Sequence, residues 1–238
     1  MKIYFVRHGE TIWNKEKKIQ GRSDIPLNEY GKELGMITSE ALKDIPFDIV
    51  YSSPLIRAKE TAEILVKDRN LVIHEDNRLL EMSFGEGEGE SLPEIHAHPE
   101  MKLHNFIHNP REYTPPAGGE TFEELYARCK TFIEEYILPA EKKYECMLIV
   151  GHGALIRGMI HYINNRPSKD FWIVTHKNCS ITIANCTNGK LSLLEEAKIF
   201  YKEEPHVCPE IFDKIEEADL IIFSMGSLYT SVMPHLIC

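Results

Sequence analysis

Short apolar runs and helical patterns alternate along this chain. Residues 3–6 (IYFV), 47–53 (FDIVYSS), 146–150 (CMLIV) and 180–186 (SITIANC) are brief and rich in β-forming residues. Between them, 29–43, 55–67, 121–138 and 154–163 carry apolar residues three or four apart, the period of a helix with one buried face. Alternation of this kind predicts an α/β fold of three layers, a mostly parallel sheet with helices on both faces. Ligands of such sheets sit at the carboxyl ends of the strands.

Composition narrows the function. At 238 residues and 43% hydrophobic content the chain can bury one sizeable core, with room for an appendage. A formal net charge of −10 argues against a nucleic-acid partner, which needs clustered Lys and Arg, and against an anionic membrane surface. No apolar run approaches the length of a membrane span and Met1 leads straight into strand-like sequence, so a cytoplasmic protein, monomer or homodimer, is expected. The six cysteines form no CxxC pair and read as reduced, buried thiols.

Charged side chains stand where such a sheet binds ligands. The first run flows without a break into Arg7 and His8. Arg57 follows Ser52-Ser53-Pro54, read as strand end, cap and helix-start proline, which puts Arg57 in a first helical turn. His152 lies between Gly151 and Gly153 in LIVGHGALIRG, a strand-to-helix turn able to offer backbone N–H groups to an anion. Two arginines, two histidines and helix starts at one sheet edge predict a dianion pocket, and a phosphoryl group is its natural occupant.

Seven segments, RHGETIWN, QGRSDIPLNEYG, YSSPLIRAKETAEIL, LLEMSFGEGEG, PPAGGETFEEL, VGHGALIRG and NCSIT, resemble in order and spacing the blocks of the histidine phosphatase superfamily, also called the phosphoglycerate mutase-like family, over about residues 1–200. The resemblance implies roles. His8 matches the nucleophile, a neutral imidazole that forms a phosphohistidine. Arg7 and Arg57 match the guanidiniums that hold the non-bridging oxygens, and their charge disfavours a protonated His8. His152 matches a donor to the transferring phosphoryl group. Asn14, Gln20, Gly21 and Gly153 match substrate-binding positions, Thr11 reads as structural, and Glu81 matches the general acid and base. This chemistry calls for no cofactor and no metal.

The superfamily divides into phosphatases and mutases. Glu81 is followed by Met82, Ser83 and Phe84 rather than the cationic set that grips a phosphoglycerate carboxylate, and Arg111 stands alone further on. Hydrolysis of a small metabolite phosphomonoester is therefore expected, a sugar or hydroxy-acid phosphate being favoured; a cofactor-dependent phosphoglycerate mutase is the second reading and a non-catalytic phosphate-binding scaffold the third. Related phosphatases usually carry tryptophan where this chain has Gly87.

Two segments stand apart from the alternating pattern. Residues 85–119 combine breakers with His96, His98, His104 and His108, and read as a lid-like insertion with one or two short helices and solvated or packing histidines. Residues 201–238 carry seven acids against two lysines, half the net charge. Their helix signal (Ile211, Ile215, Ala218) and strand (220–223) resemble a short fragment of the gluconeogenesis-factor family, related to 2-phospholactate transferase, and are expected to be a fused remnant packed on the phosphatase domain.

Overall fold

The computed structural model describes residues 1–199, so the helix and strand expected in the tail lie outside the described residues. Six strands form one sheet: β1 (Lys2–Arg7), β2 (Ile49–Ser52), β3 (Ile73–Glu75), β4 (Cys146–Gly151), β5 (Ile181–Thr187) and β6 (Lys190–Lys198), in the order β3-β2-β4-β1-β5-β6. The first four in that order run parallel, while β5 and β6 are antiparallel to β1 and to each other.

Burial explains why the central strands read as unbroken apolar runs. Ile3, Phe5, Ile49, Met147 and Ile149 join a core cluster with Leu125, Cys129, Leu155 and Met159. The intervening Tyr4, Val6, Val50, Leu148 and Val150 are buried as well, and because side chains alternate along a strand they face the other side of the sheet. Both faces are covered.

Eight α-helices accompany the described sheet: α1 (Ile12–Lys15), α2 (Glu29–Ala41), α3 (Ile56–Leu65), α4 (Leu92–Ala97), α5 (His104–His108), α6 (Phe122–Phe132), α7 (Leu138–Ala140) and α8 (Gly153–Asn164). Three of the four expected helices, α2, α3 and α8, appear within two residues of their predicted ends. The fourth is split: α6 starts at a Thr121–Glu124 capping box, but residues Ile133–Ile137 form a π-turn before α7. Pro139 has no N–H for the usual i→i−4 bond, which favours a register change there.

Two strands went unanticipated. The three-residue β3 is exposed and has no sequence period to read. The edge strand β6 follows Asn188 (φ 53°) and Gly189 (φ 71°), a two-residue turn with both centres left-handed, which selects Asn-Gly and matches the twist of a hairpin. Residues 85–119 hold α4, α5 and 3₁₀ turns at Gly85–Gly87 and Pro110–Glu112; Ile95, Leu103 and Phe106 from this segment are fully buried in the main core.

One ion pair ties α6 to the segment ahead of Glu81. Arg128 Nη1 donates to the carbonyls of Arg78 (2.7 Å) and Leu80 (2.6 Å), while its Nε and Nη2 donate to Glu120 at 2.6 and 3.0 Å. Both side chains are nearly buried, so removing Arg128 leaves Glu120 with only Ser83 N at 3.3 Å and Arg22 at 3.5 Å. Arg128→Ala should lower unfolding stability by about 3–5 kcal/mol in a urea titration; a loss below ~1 kcal/mol would show that solvent reaches Glu120.

Candidate active site

The site starts from strand register. Arg7 pairs with Gly151 across β1 and β4, and the His8 N–H donates to Gly151 O at 2.9 Å. His8 and His152 therefore leave adjacent parallel strands at the same edge, with ring centroids 5.2 Å apart. Both are nearly inaccessible, at 2% and 0% exposure, so their protonation states are decided by the interior.

For each imidazole the pKa lies well below the ordinary value: burial is the largest cause, followed by the positive charge of Arg57 and, for His8, of Arg7. Both rings are neutral near pH 7, and hydrogen bonds choose the tautomers. His8 Nδ1 lies 2.7 Å from Gly9 O, an acceptor, so the proton sits on Nδ1 and the Nε2 lone pair is left for chemistry. His152 Nε2 and Ser53 Oγ lie 2.7 Å apart; because that hydroxyl already accepts from Leu55 N, its own proton is best placed toward Nε2, which assigns the His152 N–H to Nδ1, buried without a partner among the described residues.

Arg57 is fully buried on the first turn of α3. Burial, opposed chiefly by Glu81, lowers its pKa to about 10, which still leaves the guanidinium charged at neutral pH. Nη1 and Nη2 donate to Ser23 O and Gly21 O, each at 2.7 Å, and Arg7 Nη1 donates to His176 O at 2.5 Å. The Nε atoms of both arginines are buried without a partner among the described residues. With His152 Nδ1, that makes three buried nitrogens of these residues without a hydrogen-bond partner among the described residues.

The expected cap of α3 is different in detail. Ser53 Oγ is engaged by His152 and by Leu55 N, and the helix start is capped by Asp24 Oδ1, which accepts from Ile56 N at 2.7 Å. The N-terminus of α8 also departs from expectation. Two of its N–H groups are taken by a side chain of the protein: Glu81 Oε2 accepts from Ala154 N (3.2 Å), and Oε1 from Leu155 N (3.0 Å) and Met82 N (2.9 Å). Glu81 is thereby oriented beside Gly153 instead of pointing into solvent.

The loop after β1 supplies the other wall. Thr11 caps α1 and its hydroxyl lies 3.2 Å from Asn14 Oδ1 and 2.9 Å from Gln20 Oε1. Asn14 and Gln20 thus have their carbonyl oxygens engaged by the protein. At Gly21 (φ 52°) a side chain would be strained, and its Cβ, 2.2 Å from Glu88 Oε1, would displace that carboxylate. All nine positions expected from the sequence, Arg7, His8, Asn14, Gln20, Gly21, Arg57, Glu81, His152 and Gly153, collect at this edge, and all except the recessed His152 line one cavity of about 350 Å³.

Several supporting residues escaped the sequence reading. Glu88 accepts from Arg22 N, Ser23 N and Ser23 Oγ at 2.9, 2.8 and 2.6 Å, pinning the loop whose carbonyls hold Arg57. Asn178 Nδ2 donates to His8 O and Gly9 O at 3.0 and 3.1 Å. Arg157 and His176, both buried, also line the cavity. Glu88 was hidden in a Gly/Glu run that looks like solvated charge, and only the NCSIT block pointed near Asn178. Of the four insertion histidines, His96 and His108 share a 2.9 Å contact and His104 stacks on His108. Among the described residues no three His, Cys, Asp or Glu side chains are placed to hold a metal, and no helix is long and apolar enough to cross a membrane.

Comparison with known proteins agrees with this geometry. The family profile "Histidine phosphatase superfamily (branch 1)" matches residues 3–197, and the chain belongs to that superfamily. It is thus an enzyme of a group whose members carry phosphatase and phosphoglycerate mutase names. Phosphoglycerate mutase-like protein 4 of Arabidopsis thaliana is 37% identical over 168 residues, 70% of this chain and 71% of its own length. The uncharacterized phosphatase PhoE of Bacillus subtilis is 36% identical over 163 residues, 68% of this chain and 77% of its own. The alpha-ribazole phosphatase of Shigella flexneri superposes with a TM-score of 0.74 at 25% identity, covering 86% of this chain and 100% of that one. Residues 170–238 also match the profile "2-phospho-L-lactate transferase CofD", a longer stretch than the tail resemblance implied.

The buried, doubly flanked His8 has a direct test. Its imidazole should show no protonation step between about pH 5.5 and 8 in the free protein, followed by NMR of ring carbons, because the group ionises only below its ordinary range. A midpoint near 6.5 would mean that burial, with the charges of Arg57 and Arg7, does not govern its ionisation.

Proposed function

We propose that this enzyme hydrolyses small soluble phosphomonoesters in the cytoplasm through a phosphohistidine on His8. The observation that carries the reading is the neutral His8 imidazole with its proton on Nδ1, at a cavity edge where Arg7, Arg57 and His152 each hold a buried nitrogen without a partner among the described residues. His8 Nε2 bonds to phosphorus as the P–O bond to the alcohol breaks, and Glu81 delivers a proton to the departing oxygen. Water then attacks the phosphohistidine, Glu81 takes its proton, and inorganic phosphate leaves with His8 restored. Arg7, Arg57 and His152 offset the charge that builds on the non-bridging oxygens, with the amides of Asn14 and Gln20 alongside. No metal enters these steps.

Hydrolysis is favoured over mutase chemistry by the three residues after Glu81. Met82, Ser83 and Phe84 are buried and uncharged, and Arg111 is exposed and does not line the cavity, so a phosphoglycerate carboxylate lacks its cationic grip there. The relative bearing a mutase-like name keeps that activity as the second reading, for which formation of 2-phosphoglycerate from 3-phosphoglycerate is the marker. We infer that residues 201–238 are a fused remnant of the transferase family instead of a second site, a reading supported by the profile match there.

The two catalytic roles fail differently. His8→Ala should lower turnover by about 10³-fold or more with the fold retained. Glu81→Gln should lose roughly 10²–10⁴-fold on alkyl phosphates and less in the first step with p-nitrophenyl phosphate, whose leaving group hardly needs a proton. Quenched in base with that substrate, Glu81→Gln should accumulate acid-labile label on His8. Label on any other residue would overturn the assignment.

A further inference from the structure

Beyond the phosphoryl end, the cavity opens into a second half walled by Ile19, Phe84, Leu92, Phe106, Ile107 and Trp172. The wall is preformed. Phe84 and Phe106 are buried and meet edge to face at 4.8 Å, and Trp172 stands edge-on to Phe106 at 5.1 Å while its Nε1 donates to Phe106 O at 2.7 Å. A Cβ at Gly87 would lie 2.7 Å from Leu103 Cδ1, so the space a tryptophan side chain would need is filled by the core, and the insertion helix α5 supplies the wall instead.

Most polar groups on this half are engaged by the protein, while Arg157 Nε and the two ring nitrogens of His176 lack a hydrogen-bond partner among the described residues but are buried. Arg157 donates to Gly153 O and Val174 O, each at 2.9 Å, with its guanidinium 4.5 Å from the Trp172 ring. His176 Nε2 lies 3.4 Å from Glu196, Lys18 is paired with Glu16 at 2.8 Å, and His96 is held by His108. A polyhydroxylated leaving group would surrender its water here for few exposed partners, chiefly Thr175 and Lys18, whereas a hydrocarbon chain exchanges water for aromatic contact.

Resting on the hydrolase reading, we propose that the substrates are phosphomonoesters of apolar alcohols, with an alkyl, isoprenoid or aryl group seated against Phe84, Phe106, Ile107 and Trp172. This departs from the sugar or hydroxy-acid phosphate favoured by the sequence. The test is a series of n-alkyl phosphates from ethyl to hexyl, with glycerol 3-phosphate as the hydroxylated counterpart. All are esters of primary alcohols whose departing oxygen Glu81 protonates, so differences in kcat/KM chiefly report contact with the leaving group. Each methylene should raise kcat/KM by about twofold to fourfold until the cavity is full, and butyl phosphate should exceed glycerol 3-phosphate. Ile107→Ser should flatten the series and Ile107→Leu should keep it. A flat series in the native enzyme, faster hydrolysis of glycerol 3-phosphate, or an unchanged slope in Ile107→Ser overturns the proposal and leaves the hydrolase standing. Absence of phosphate release from every ester overturns the hydrolase reading itself.

Discussion

A guanidinium with no exposed surface is costly to keep, and Arg57 sets the terms for much of the fold around it. Its charge is met by two backbone carbonyls, Gly21 O and Ser23 O, rather than by a paired carboxylate. Those carbonyls are in place only because the loop is pinned: Glu88 gathers the N–H groups of Arg22 and Ser23, and Asp24 caps α3. Carbonyls compensate for desolvation without cancelling the positive charge. That residual field helps to keep His8 and His152 neutral, and it remains available to a phosphoryl group. A full carboxylate partner in the same position would have relieved the burial and removed the reason for an anion to bind.

The sheet supplies the other half of the arrangement. Parallel pairing of β1 with β4 puts Arg7 level with Gly151, so the two histidines that come directly after these strands emerge side by side. Antiparallel β5 starts at the same edge, and Asn178, just ahead of it, grips the backbone of His8 and Gly9. The ring positions are thus determined by backbone pairing and main-chain hydrogen bonds, which vary little, while Glu81 is aimed by the N-terminus of α8. An ordered site built this way needs little reorganisation when charge develops at phosphorus.

How much of this could be read in advance depends on whether a residue's role is local. The strands β1 and β4 were legible because burial on both faces leaves unbroken apolar runs, and Arg7 and His8 stood out as polar residues at the end of one. The edge strand β6 was not, since only one of its faces is covered and its Asn188-Gly189 turn marked the hairpin more clearly than the strand itself. Glu81 became a candidate only through resemblance, because nothing local distinguishes it from a surface acid. Ser53 illustrates the limit: its sequence context looks like a helix cap, yet its hydroxyl serves a histidine 99 residues away. Contacts of that range are decided by topology.

The central claim is that phosphorus is displaced twice, first by His8 Nε2 and then by water. The stereochemical course of hydrolysis reads this directly, using a phosphomonoester made chiral at phosphorus with oxygen isotopes and water of a third isotope. Two in-line displacements give inorganic phosphate with net retention of configuration, which is the predicted result. Net inversion would mean that water attacks the substrate directly and that His8 is not the nucleophile.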